Sequence, residues 1–192
     1  MDILNVFSEN YETGNMKNDG LTIVYTGKGK GKTTAALGIA LRATGYEKKT
    51  CMIQFIKGSW HYGEMDSSKR LEPEFEMVAI GKGFVGIIDD KSPRDNHEKV
   101  AKEAIRISNE KIQSGNYDIV ILDEINYAVN LNLISVDDVL NIIKSKPKEV
   151  DLILTGNYAK DEIIEIADLV TEMREIKHPF QQGIKAKKGI DF

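Results

Sequence analysis

Cysteine is almost absent from this chain. The single Cys51 excludes an intrachain disulfide and a metal site built from several thiolates. A lone cysteine reads as a small, buried apolar residue in a reducing compartment. Three histidines, His61, His97 and His178, are too dispersed in sequence to suggest a metal site. No apolar run has the length of a membrane span, and the N-terminus lacks the basic-then-apolar layout of a signal peptide. The expectation is therefore a cytoplasmic protein with no membrane partner. A net charge of −4 speaks against a nucleic-acid-binding role, which needs a basic face. Internal repeats and low-complexity linkers are also missing. What remains is ordinary for one soluble domain: 192 residues, 41% hydrophobic and 29% charged.

The first twenty residues are polar and without periodicity, so residues 1–20 read as a flexible N-terminal arm and 21–192 as the domain. Apolar runs then alternate with amphipathic stretches. Strands are expected at Leu21–Thr26, Thr50–Phe55, Phe75–Ile80, Tyr117–Glu124, Asp151–Gly156 and Leu169–Glu175. Helices are expected at Lys32–Gly45, closed by Gly45, and at Ser92–Gly115, Ser135–Lys146 and Asp161–Ala167. Ser92 and Pro93 suit the start of the second helix, and Ser135 with Asp138 makes a capping pair for the third. The stretch Ile56–Met65 and the tail after Ile176 read as loops. This order predicts an α/β fold, a mostly parallel sheet flanked by helices, with ligands beyond the carboxyl ends of the strands.

Two motifs carry chemistry. The stretch "TGKGKGKTT" (Thr26–Thr34) follows a strand and opens a helix, and it nearly fits the phosphate-loop pattern G-x-x-x-x-G-K-[ST]. The misfit is Thr26, which stands where the first glycine belongs. The amides of Gly27, Lys28, Gly29, Lys30 and Gly31 would cradle phosphate oxygens at a helix N-terminus. Lys32 would reach across to the phosphates, Thr33 would ligate Mg²⁺, and Thr34 is a further phosphate donor. The side chains of Lys28 and Lys30 either touch phosphate or are simply solvated. The second motif, "IVILDE" (Ile119–Glu124), ends an apolar strand in two carboxylates, Asp123 and Glu124, suited to Mg²⁺ directly or through water. Together they predict an ATP·Mg²⁺ site.

Residues alone leave the chemistry open. A kinase would carry an arginine-bearing lid, but the five arginines, Arg42, Arg70, Arg94, Arg106 and Arg174, are scattered. A nucleic-acid-tracking ATPase would be more basic. A nucleotide-gated scaffold would have less need of a complete metal site.

Six stretches in order, "TGKGKGKTTAALGIALRATG", "QFIKGSWHYGE", "GKGF", "DIVILDEINYAV", "LTG" and "ADLVTEMREIKHPFQQGIKAKKGIDF", resemble the P-loop family of ATP:cob(I)alamin (corrinoid) adenosyltransferases over Leu21–Phe192. The resemblance implies a P-loop NTPase-like (RecA-like) three-layer sandwich. It also implies transfer of the 5′-deoxyadenosyl group of ATP to the Co(I) of a reduced corrinoid, cobalamin or cobinamide, with release of triphosphate. ATP would lie reversed along the loop. Lys32 and Glu124 would act in catalysis, Thr33, Glu124 and Asp123 at the metal, and Phe84 in displacing the lower ligand of cobalt. The partners implied are small molecules, an electron donor such as a flavoprotein reductase, and a second copy in a homodimer. Alternatives are a P-loop ATPase or kinase acting on another small molecule, or a non-catalytic nucleotide- or corrinoid-binding relative. Trp60 and His61 are weaker candidates for ligand contact. Three positions depart from the family pattern. Val85-Gly86 replaces Thr-Trp, Asn157 replaces Arg, and Lys28 replaces Asn.

Overall fold

A computed structural model describes residues 19–56, 61–80 and 94–191. The elements run β1 (Thr22–Thr26), α1 (Lys32–Thr44), β2 (Thr50–Gln54), α2 (Gly63–Arg70), β3 (Phe75–Ala79), α3 (Arg94–Gln113), β4 (Ile119–Asp123), α4 (Ile125–Asn130), α5 (Val136–Ser145), β5 (Asp151–Thr155), α6 (Asp161–Ile166) and β6 (Leu169–Glu172). A 3₁₀ turn at Pro179–Gln182 follows in the tail. The six strands form one sheet in the order β3-β2-β4-β5-β1-β6, and every pairing is parallel.

The central strands β2, β4 and β5 lack polar alternation because both faces of the sheet are covered there. In β5, Leu152 and Leu154 belong to one core and Ile153 to the other. In β4, Val120 and Leu122 face the first core, while Ile119 and Ile121 face the second. Ala36, Ala40 and Ala43 of α1 fill the second core. The small side chains let this helix sit close to the sheet. The first core takes Ala101, Ala104 and Ile112 of α3, Ile125, Ala128 and Val129 of α4, Val139, Ile142 and Ile143 of α5, and Ile163 of α6. Three layers result, as expected.

Some local expectations need correction. The reading of Ile56–Met65 as loop misses α2, which begins at Gly63, and α4 follows β4 after the single residue Glu124. Gly45 does cap α1 as expected. Its φ is −65°, the chain continues as a tight turn with Tyr46 N–H on the Ala43 carbonyl, and Glu47 takes the positive φ of 57°. The Ser135–Asp138 capping box forms as expected. Ser92 and Pro93 lie outside the described residues. The expected arm does the same up to residue 18, whereas Gly20 is already tied down. Its N–H donates to the Lys148 carbonyl at 2.5 Å and its carbonyl accepts from Lys146 Nζ at 2.6 Å. Among the described residues no helix is long and apolar enough to cross a membrane.

Cys51 lies in β2 with no exposed surface. Burial pushes its thiol pKa up to about 12, Glu76 adds to the rise, and Lys111 opposes it. Because the folded pKa is raised, the group stays a thiol throughout the neutral range and charges only near the top of the pH scale. Ellman's reagent at pH 8 should therefore leave the native protein unlabelled and titrate one thiol once urea unfolds it. Rapid labelling of the native state would contradict the burial.

Candidate active site

The phosphate loop, Gly27–Gly31, joins β1 to α1. Gly27 and Gly31 have φ of 94° and 114°, which side-chain-bearing residues rarely adopt. The loop lies against the segment that follows β6. A Cβ on Gly29 would come within 2.8 Å of the Met173 carbonyl oxygen, and the Gly29 N–H donates to that oxygen at 2.7 Å. Only glycine allows this approach.

Lys32, the first residue of α1, is 8% exposed. Its ammonium curls back onto the loop and donates to the carbonyls of Gly27 at 2.7 Å and Gly29 at 2.8 Å. Burial lowers its pKa, against the opposing pull of Glu124 and Asp123. The loop carbonyls thus serve as acceptors for the lysine. Lys30 pairs with Asp191, whose other carboxylate oxygen accepts the Lys187 N–H at 2.7 Å. The last stretch of the tail thus rests on the loop.

Asp123, at the end of β4, has no exposed surface. One carboxylate oxygen accepts from the Thr33 hydroxyl at 2.9 Å and from the Thr155 hydroxyl at 2.7 Å. The other accepts from Gln54 Nε2 at 3.3 Å. Thr155 is used twice, because its oxygen also accepts the Glu124 N–H at 2.9 Å. Glu124 follows in a left-handed conformation, φ 64°, and this bend turns the chain from β4 straight into α4. Thr33, Asp123 and Glu124 therefore meet at one edge of the sheet, as the two motifs imply. Sequence reading passed over Thr155, which links them. Its only signal was a threonine at the end of an apolar strand.

Glu124, Lys32, Thr33 and Thr34 face a cavity of about 770 Å³ whose apolar wall includes Leu37 and Leu41. Tyr62 and Gly63 at the start of α2 and Ile190 in the tail also line it. Lys28 points to the other side of the loop, into a second cavity of about 840 Å³. His61 does not line either cavity; its ring pairs with Asp66 at 2.8 Å. The Oδ1 of Asn157 is buried without a hydrogen-bond partner. Phe84, Gly86 and Trp60 lie outside the described residues.

Buried near the same edge are the Gln54 Oε1 and both amide atoms of Asn126, none with a partner. Among the described residues no group of three or more His, Cys, Asp or Glu could hold a metal. The oxygen donors Thr33 and Glu124 do suit a hard cation. Thr33 gives its proton to Asp123, which leaves its lone pairs for a metal.

A glycine-rich loop on a parallel sheet, with its acidic strand one strand removed from the loop strand, defines a P-loop nucleotide-binding protein of the RecA-like kind. The solved flagellar accessory protein FlaH from Methanocaldococcus jannaschii shares that fold, with a TM-score of 0.55 at 13% identity over 81% of this chain and 71% of that one. The family model described as ATP:corrinoid adenosyltransferase BtuR/CobO/CobP matches residues 18–192, and the chain belongs to that family. The corrinoid adenosyltransferase of Escherichia coli (strain K12) is 36% identical over 173 residues, covering 90% of this chain and 86% of that protein. The corrinoid adenosyltransferase of Sinorhizobium sp is 41% identical over 175 residues, covering 90% and 80%.

Replacing Thr155 by Val keeps the shape but removes a donor to Asp123 and an acceptor for Glu124 N–H. It should cost about 1–3 kcal/mol in urea unfolding, because a buried carboxylate and an amide each lose a partner. An unchanged midpoint would mean that Asp123 does not need this bond.

Proposed function

We propose that this protein transfers the 5′-deoxyadenosyl group of ATP to the Co(I) of a reduced corrinoid. The observation that carries the reading is a phosphate loop and a paired acidic strand end opening onto a cavity with apolar walls, in a chain that matches the adenosyltransferase family from residue 18 to 192. The cobalt electron pair forms a bond to C5′ of the ribose. The C5′–O5′ bond breaks, and its electron pair leaves with the triphosphate. Such a nucleophile needs no general base. The protein's task is to align C5′ and to stabilise charge on the departing oxygen.

Lys32 is suited to that charge, since a triphosphate would replace the two loop carbonyls its ammonium now holds. The loop amides and the start of α1 add positive potential. Thr33 and Glu124 would hold Mg²⁺, and Asp123 would orient Thr33 from beneath. Bound there, Mg²⁺ neutralises part of the triphosphate charge. The apolar wall of Leu37 and Leu41 suits a cavity that keeps bulk water away from a reacting nucleotide. The kinase alternative is weakened because, among the described residues, no arginine lines this cavity. Arg106 is engaged by Glu103 and Glu110, and Arg94 by Glu98. Phe84 remains the candidate for displacing the lower cobalt ligand, and an electron donor, such as a flavoprotein reductase, would supply Co(I). A homodimer is supported by apolar side chains left on the surface of β6 and the tail, among them Leu169, Val170, Ile176 and Phe180.

Incubation with ATP, Mg²⁺ and chemically reduced cobalamin should give adenosylcobalamin, read by its spectrum, together with triphosphate. ADP without adenosylation would overturn the reading in favour of an ATPase or kinase, and tight ATP binding with no product would favour a non-catalytic relative. Lys32→Ala should abolish turnover; near-normal rates would show that another cation takes the charge. Light scattering should return twice the 21.5 kDa chain mass, and a monomer at all concentrations would remove the dimer.

A further inference from the structure

Residues Lys187–Asp191 form a turn that holds its own shape. The Ile190 and Asp191 N–H groups donate to the Lys187 carbonyl at 3.1 and 2.8 Å, and one Asp191 carboxylate oxygen accepts the Lys187 N–H at 2.7 Å. The other Asp191 oxygen meets the Lys30 ammonium of the phosphate loop. Among the described residues, no other hydrogen bond or ion pair ties residues 185–191 to the rest of the protein. Packing adds little. Residues 185–190 are exposed, and Ile190 lines the first cavity while 78% of its surface stays open. The turn is thus a self-contained piece of chain laid along the cavity and fastened to the loop at one charge pair.

The fastening is a carboxylate in a place built for anions. Asp191 and Lys30 line the first cavity together with Lys32, Thr33 and Thr34. Loop amides, a helix start and the Lys32 ammonium all favour negative charge there. A polyphosphate on that loop and the Asp191 carboxylate would compete for one ammonium. The Lys30 side chain is 52% exposed, and an ion pair so open to water contributes little. A polyphosphate brings several charges and is held by the loop amides and Lys32 as well, so it takes Lys30. Asp191 is then left facing like charge. We infer that the Lys187–Asp191 turn is an autoinhibitory strap: Asp191 latches it to Lys30, and a polyphosphate on the loop releases it by taking that ammonium. The inference rests on the loop's being a triphosphate site, holds for either direction of ATP along it, and needs no adenosyl transfer.

The test uses inorganic tripolyphosphate as the probe and two readouts. One is its affinity by calorimetry. The other is the distance distribution, by pulsed electron resonance, between nitroxides on Lys188→Cys in the turn and Tyr46→Cys at the end of α1. Both positions are exposed, and the native Cys51 is buried and takes no label. Saturating tripolyphosphate should broaden a narrow distribution. Asp191→Asn, which keeps an oxygen for the Lys187 N–H, should broaden it without ligand and bind tripolyphosphate roughly two- to fivefold tighter. Lys30→Met should also free the turn but bind tripolyphosphate more weakly. In the Lys30→Met background, Asp191→Asn should change neither readout, since the latch is already gone. An unchanged or narrower distribution with tripolyphosphate would overturn the inference. So would an Asp191→Asn protein that binds no tighter, or a gain that persists without Lys30, which would be long-range charge and not a latch. A protein whose turn is released in this pattern yet never adenosylates a corrinoid would leave the strap standing and sink the proposed function instead.

Discussion

One buried carboxylate holds the functional edge together. Asp123 has no contact with solvent, so its charge must be met by hydrogen bonds from the protein. Three side chains answer, from three different elements: Thr33 of α1, Thr155 of β5 and Gln54 of β2. The strand order makes this arrangement necessary. β5 lies between the loop strand and the acidic strand, so the two motifs are not neighbours in the sheet. Thr155 bridges the intervening strand, and the same hydroxyl holds the amide of Glu124. The positions of the loop, Thr33 and Glu124 are thus set by one cluster.

Two cations of the loop around it are held by the protein's own oxygens. Lys32 rests on two carbonyls and Lys30 on Asp191. Neither cation is left bare. The glycines serve the opposite purpose. Gly27 and Gly29 bring the backbone so near Met173 that the loop's path is constrained by packing on one side while its other side stays open.

Sequence patterns anticipated most of the frame. Apolar runs marked all six strands, most plainly β2, β4 and β5, which are covered on both faces and so must be apolar throughout, and the motifs named the residues that gather at Asp123. Local chemistry was also legible where it is self-contained, as in the Ser135–Asp138 box. The misses have physical causes. α2 is polar, with Ser68 its one buried residue, so it shows no apolar stripe. α4 is six residues long, too short for a period to declare itself. The turn after α1 places its left-handed residue at Glu47, which no propensity would select. Thr155 and Thr26 act through partners 32 and 133 residues away, and such pairings exist only once the sheet is formed.

The place of β1 in the sheet has a consequence for how the protein comes into being. β1 is made first, yet its two neighbours are β5 and β6, the last strands of the chain. Strands β2, β3 and β4 pair among themselves and can assemble as soon as they are synthesised. The phosphate loop must wait, carried on an unpaired strand, until residues past 151 arrive to receive it. Closing so long a stretch of chain is slow compared with local pairing. Nucleotide capture is therefore withheld from the nascent chain, and competence for ATP arrives together with completion of the fold.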